Sequence, residues 1–185
     1  MSGPQEAVLR GELPDADATR GLGRALAAVL RPGDLVVLTG DLGAGKTTLT
    51  QGIGAGLGVR GQVASPTFII ARVHPSLTGG PALVHVDAYR LGSLEEVDAL
   101  DLDASLEESV TVVEWGEGLV ESLADDRLEV SLRRPRGDVG TGARAGDGPA
   151  DDPDGDLTDA AAGTRVVELR GVGPRWAGVR LPVVG

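Results

Sequence analysis

The sequence contains no cysteine, which excludes disulfides, thiolate metal sites and cysteine nucleophiles. Two histidines, His74 and His85, are too few for a histidine-rich metal centre. No apolar run approaches the roughly 18 residues that a membrane-spanning helix requires, and nothing near Met1 joins a basic start to an apolar stretch. No membrane segment is therefore expected, and the cytoplasm is the expected compartment. Positive charge is scarce: 17 cationic against 28 acidic side chains give a net charge of -11, which argues against a domain whose main business is coating nucleic acid. Lysine is scarcer still, since sixteen of those cations are arginine and the remaining one is Lys46.

Glycine, by contrast, is plentiful at 29 of 185 residues, and its most informative cluster surrounds that single lysine. Gly40-Asp41-Leu42-Gly43-Ala44-Gly45-Lys46-Thr47, followed by Thr48, fits G-x-x-x-x-G-K-[ST]. Glycines at 43 and 45 allow left-handed backbone, so that successive N–H groups can turn inward around an anionic phosphate. Lys46 can reach the β and γ phosphates, Thr47 offers a hydroxyl to Mg²⁺, and the following helix points its positive end at the same anion. Asp41 to Thr48 are thus the expected nucleotide-binding residues. A lysine is needed here because the planar arginine fork does not replace a compact ammonium. The context fits: Asp34 to Thr39 is an apolar, β-branched run suited to a buried strand, and Thr48 to Leu57 suits a helix ending near Gly58.

The other elements follow in order. Ala7 to Leu13 reads as a short strand. Asp15 and Asp17 offer N-caps to a helix with Leu22, Leu26, Val29 and Leu30 at helical spacing. Ile69 to Val73 reads as a strand, as does Ala82 to Asp87, an apolar run that delivers a carboxylate to the sheet edge in the manner of a Walker B element. Ser93-Leu94-Glu95-Glu96 is a capping box for a further helix, while the carboxylates of Asp101 to Glu108 read as a solvated face. Val110 to Val113 predicts a strand ending in Glu114 and Trp115. Arg127 to Arg133 alternates polar and apolar residues like a half-exposed antiparallel strand, with Thr164 to Arg170 as its partner. Between these two strands, residues 137–163 hold seven aspartates and one arginine with little apolar content, which predicts a disordered acidic loop. The expected organisation is therefore a domain over 1–136, the acidic insertion at 137–163, and a strand and tail over 164–185 completing the same domain. The tail beyond Gly171 carries no readable signal.

Three of the four aromatic residues, Phe68, Tyr89 and Trp115, stand beside Thr67, Asp87 and Glu114, which suggests walls around one site. Four segments together, GDLGAGKTT (40–48), SPTF (65–68), HVDAYRL (85–91) and VEW (113–115), resemble the bacterial TsaE (YjeE-type) ATPases of tRNA threonylcarbamoyladenosine biosynthesis. The resemblance covers roughly residues 10–135. It implies an α/β P-loop NTPase fold, with a mostly parallel central sheet flanked by helices and an antiparallel C-terminal hairpin. It implies ATP in the cradle, Mg²⁺ held by Thr47 and Glu114, Asp87 as the Walker B carboxylate, and Thr67 as a switch residue near the γ-phosphate. Lys46, Asp87, Thr67 and Glu114 would carry the hydrolysis. Tyr89, Arg90 and Trp115 match family positions near the site, and Arg165 lies in a late strand that could approach the nucleotide. The implied partners are the TsaD and TsaB subunits of the threonylcarbamoyl transferase, with tRNA reached only through that complex. Two departures stand out: Gly116 occupies a position where the family commonly has proline, and the acidic insertion is long.

Residue chemistry agrees, since phosphoanhydride hydrolysis needs charge neutralisation and an aligned water rather than a covalent nucleophile. A regulatory GTPase is rejected because its guanine-reading [NT]-K-x-D motif needs a second lysine. A small-molecule kinase, with Arg133, Arg134 and Arg136 as a phosphate-clamping lid, stays open. So does a nucleotide-dependent interaction module with negligible hydrolysis.

Overall fold

Leu35, Val36, Val37 and Leu38 are buried in succession, as a strand covered on both faces requires. In the computed structural model they form the centre of a seven-stranded sheet. The structure describes residues 7–64, 71–88, 107–115, 118, 124–135 and 163–183. The elements are β1 (Ala7–Leu13), α1 (Ala16–Ala27), β2 (Leu35–Thr39), α2 (Lys46–Leu57), β3 (Ala71–His74), β4 (Ala82–Asp87), β5 (Ser109–Glu114), β6 (Arg127–Arg133), β7 (Arg165–Val172) and a 3-10 turn at Pro174–Trp176. The sheet order is β1-β7-β6-β2-β5-β4-β3. Four adjacent strands, β6, β2, β5 and β4, run parallel, while β7, β1 and β3 add antiparallel edges.

This is the expected α/β architecture with one revision. β6 forms the expected antiparallel hairpin with β7, but its other edge pairs in parallel with β2, so it is an interior strand. Its alternating pattern reflects two faces of unequal cover, with Leu128, Val130 and Leu132 fully buried on one of them. The helix expected from Ser93, the segment 65–70 that includes Thr67, and residues 137–162 of the acidic insertion lie outside the described residues.

Both described helices cover one sheet face. Asp15 caps α1 by accepting from the Ala18 N–H at 2.8 Å, and Leu22 and Leu26 join Leu49, Ile53, Val36, Leu38, Val112 and Val130 in the main core. The α1–α2 contact is backbone on backbone. A Cβ on Gly23 would strike the Leu49 carbonyl, and one on Gly52 would strike the Arg20 carbonyl. This close approach holds the start of α1 beside the phosphate loop, where Thr19 lies fully buried.

The tail, silent in the sequence, is a structural clasp. Trp176 is buried in the main core, and only a glycine at 171 leaves room for it against β7. Arg175 donates from Nε and Nη2 to the two oxygens of Asp34, at 2.9 and 2.8 Å, and from Nη2 to the Val29 carbonyl at 2.8 Å. Asp34 immediately precedes β2, so the clasp ties the C-terminal segment to the strand that carries the phosphate loop. We expect Arg175→Ala to lower stability by about 2–4 kcal/mol, because it strands a buried carboxylate. Urea unfolding monitored by circular dichroism checks this, and a loss below about 0.5 kcal/mol would show the clasp to be incidental.

Candidate functional site

The loop between β2 and α2 is shaped by backbone freedom. Gly40, Gly43 and Gly45 all have positive φ, at 143°, 75° and 106°. Gly45 is the N-cap of α2 in the left-handed region and supplies no side chain, so no cap hydrogen bond competes for the first-turn N–H groups, which an anion at this helix end could use. A side chain at Gly45 would also press on Arg165, whose Nε would lie 3.0 Å from the added Cβ. Leu42, at the loop tip, is 91% exposed, so its side chain packs against nothing in the loop's interior.

Lys46 opens α2 and is almost wholly buried. Its ammonium donates to the carbonyls of Gly40 and Asp41 at 2.7 and 3.0 Å, and lies 3.9 Å from the centre of the Trp115 ring. Burial lowers its pKa from the ordinary lysine value, opposed by the charges of Glu114, Asp87 and Asp41 in that order. A polyphosphate in the cradle would act in the same direction as those carboxylates and favour the charged form.

Thr47 points the other way, to β5. Its hydroxyl donates to Glu114, with contacts of 3.1 and 3.3 Å to the two carboxylate oxygens. In the parallel register of β4 on β5, Asp87 stands directly opposite Glu114. The two acids predicted from separate strand ends are therefore neighbours at one sheet edge, beside Lys46. Thr48 follows on α2, half-buried. Trp115 ends the β5 ladder, giving its N–H to the Leu38 carbonyl at 3.1 Å, and then takes a φ of 62°. It is the one non-glycine residue with positive φ among those described, and such strain concentrates at functional sites.

Sequence reading missed His85 as a partner in this cluster. Fully buried on β4, its Nε2 lies 2.8 Å from Glu114 Oε1. The available signal was a polar residue inside an apolar strand, two positions before the acid and hence on the same face. Arg165 arrives from β7, buried, and donates from Nε to the Ala44 carbonyl at 3.2 Å, bracing the phosphate loop from below. Beside the loop an open cavity of about 460 Å³ is lined by Thr39, Gly40, Asp41, Trp115, Ser131 and Arg133.

The donor set suits a magnesium nucleotide. Among the described residues no group of three or more His, Asp and Glu side chains gathers to form an all-protein metal cage. A hydroxyl and one carboxylate converging at the mouth of a phosphate loop are instead hard oxygen donors of the kind Mg²⁺ shares with phosphate oxygens. Among the described residues no helix is long and apolar enough to cross a membrane.

Comparisons with known proteins give the family. The family model described as "Threonylcarbamoyl adenosine biosynthesis protein TsaE" matches residues 13–141. A Streptomyces coelicolor protein named tRNA threonylcarbamoyladenosine biosynthesis protein TsaE is 57% identical over 159 residues, covering 85% of this chain and 93% of the relative. A Bacillus subtilis protein of the same name is 37% identical over 127 residues, covering 68% of this chain and 78% of its own length. The crystal structure of Bacillus subtilis YdiB superposes with a TM-score of 0.64 at 28% identity, covering 94% of this chain and 92% of that one.

Proposed function

The chain belongs to the TsaE family of threonylcarbamoyl adenosine biosynthesis proteins, and on that premise we propose that it is a Mg-ATP hydrolase that drives or resets the TsaD/TsaB threonylcarbamoyl transferase complex. The observation that carries the reading is the convergence of Thr47 and Glu114 beside a buried Lys46, with Asp87 next in register. The loop N–H groups and Lys46 would bind the triphosphate. Thr47 and Glu114 would hold Mg²⁺, which supplies charge neutralisation on the phosphate oxygens. Asp87 and Thr67 would orient the attacking water near the γ-phosphate. Trp115 and the loop would shield the Lys46 ammonium from solvent, which strengthens its hold on the phosphates.

Hydrolysis by this chain alone should be slow. Arg165, which touches the phosphate loop, is committed to the Ala44 and Gly163 carbonyls, and a partner that orders the site would complete charge stabilisation at the γ-phosphate. Steady-state ATPase activity measured with and without TsaD, TsaB and tRNA tests the reading. We expect turnover to rise at least about tenfold with the complex, equivalent to roughly 1.4 kcal/mol of barrier. An equal rate alone and with the complex would refute the coupling. One observation favours a second reading: Arg133 in the open cavity beside the loop could hold a phosphate acceptor. Transfer of the γ-phosphoryl group to a small molecule in the same assay would establish that kinase activity instead.

A further inference from the structure

His85 has no place in the mechanism above, yet it occupies one of the most protected positions in the fold. It is fully buried on β4 between Leu83 and Asp87, and these three residues share the sheet face that α2 covers. An apolar residue like Leu83 would fill that slot without the desolvation cost of an imidazole. Among the described residues His85 nevertheless makes a single side-chain hydrogen bond, between Nε2 and Glu114 Oε1 at 2.8 Å, while Nδ1 is buried without a partner there. An ionised carboxylate only accepts, so Nε2 carries the donated proton. His74 shows the same half-satisfied pattern, with Nδ1 on the Arg60 carbonyl and Nε2 without a partner among the described residues, so what sets His85 apart is the group it bonds. Here one nitrogen is sacrificed and the other is spent on the proposed metal-binding carboxylate.

The geometry of Glu114 shows what that bond does. Oε1 accepts from His85 at 2.8 Å and lies 3.1 Å from the Thr47 hydroxyl, whereas Oε2 has the longer Thr47 contact of 3.3 Å. We propose that His85 is a positioning residue: it pins Oε1 so that the carboxylate holds one rotamer and leaves Oε2, with the Thr47 hydroxyl, to meet the divalent cation. It touches neither nucleotide nor metal, and it acts only through Glu114. Hydrogen-bond partners of metal-binding carboxylates commonly set metal affinity by about 10- to 100-fold.

This inference rests on the Mg-ATP reading, and its test separates the two. Binding of a non-hydrolysable ATP analogue is followed by calorimetry in EDTA and across a Mg²⁺ series, for wild type and for His85→Leu, His85→Gln and His85→Asn, with a thermal melt of each. Glutamine can place an amide N–H near the position of Nε2, whereas asparagine carries the same group but falls short of Glu114. We expect all four proteins to bind within about threefold of one another in EDTA. The half-saturating Mg²⁺ concentration should rise about 10- to 100-fold for the Leu and Asn variants and stay within about threefold of wild type for Gln. If the Leu variant does not melt cooperatively, the Gln and Asn pair carries the comparison, because the two differ only in reach. A Leu or Asn variant with the wild-type Mg²⁺ response would overturn the proposal, as would equal impairment of Gln and Asn. A wild-type protein that binds the analogue with no Mg²⁺ dependence would sink the Mg-ATP reading and this inference with it.

Discussion

Replacing Lys46 with alanine weakens ATP binding by about 30- to 4,000-fold, the expected result of truncating one partner of a buried charge pair at about 2–5 kcal/mol and 1.4 kcal/mol per decade. The fold should survive the change. Among the described residues the Lys46 ammonium bonds to carbonyls of its own loop, and Gly40 and Asp41 also line the open cavity, from which water can reach them once the side chain is gone. Lys46→Arg should be nearly as damaging, although it keeps the charge. The cradle closes around a compact ammonium stacked 3.9 Å from the Trp115 ring, and a planar fork cannot occupy that space without displacing the loop. Calorimetric titration with ATP measures both variants, and Trp115 offers an independent fluorescence signal because its ring is in contact with the mutated side chain. Retention of wild-type affinity by Lys46→Ala would show that the glycine loop does not bind phosphate.

Glu114→Ala should act on a different quantity. Removing this carboxylate takes away a negative charge beside the triphosphate position, so affinity in EDTA should hold or rise. What should disappear is the gain in affinity on adding Mg²⁺, together with about two to three orders of magnitude in turnover, which is the several kcal/mol that metal coordination contributes. The variant also leaves His85 Nε2 buried without its acceptor, so a modest fall in melting temperature should accompany the functional loss. Glu114→Gln keeps the shape and restores most of that stability without restoring the Mg²⁺ response. If Glu114→Ala binds nucleotide with the metal dependence of wild type, Glu114 is not a metal ligand and the role falls to Asp87, its neighbour in register.

Much of the fold could be read from the chain because its signals are short in range. The phosphate loop, the strand before it and the helix after it are contiguous. Asp15 announces α1 through a cap three residues long, and Asp87 and Glu114 are each the last residue of an apolar run. The site was legible only as a set of such pieces. That Asp87 and Glu114 stand side by side depends on the parallel register of β4 on β5, and register is set by how buried faces match across a sheet. The signal of His85, a polar residue in an apolar strand on the face of Asp87, gains a meaning only when its diagonal neighbour Glu114 is known. The interior position of β6 was hidden for a related reason: alternation reports unequal faces and is silent about what lies on each edge.

By itself the sequence determined that this chain builds a phosphate cradle around its one lysine, on an α/β sheet with two acid-tipped strands. Those features are written in residue types whose backbone freedom, charge and periodicity act within a turn or two of chain. Only the tertiary structure decided which distant groups meet there. Arg165 reaches the loop across 121 residues, Arg175 reaches Asp34 across 141, and His85 and Thr47 close on Glu114 across 29 and 67. Contacts of that separation are chosen by strand register and by the fit of α2 on the sheet, which depend on the whole core at once and leave no local trace.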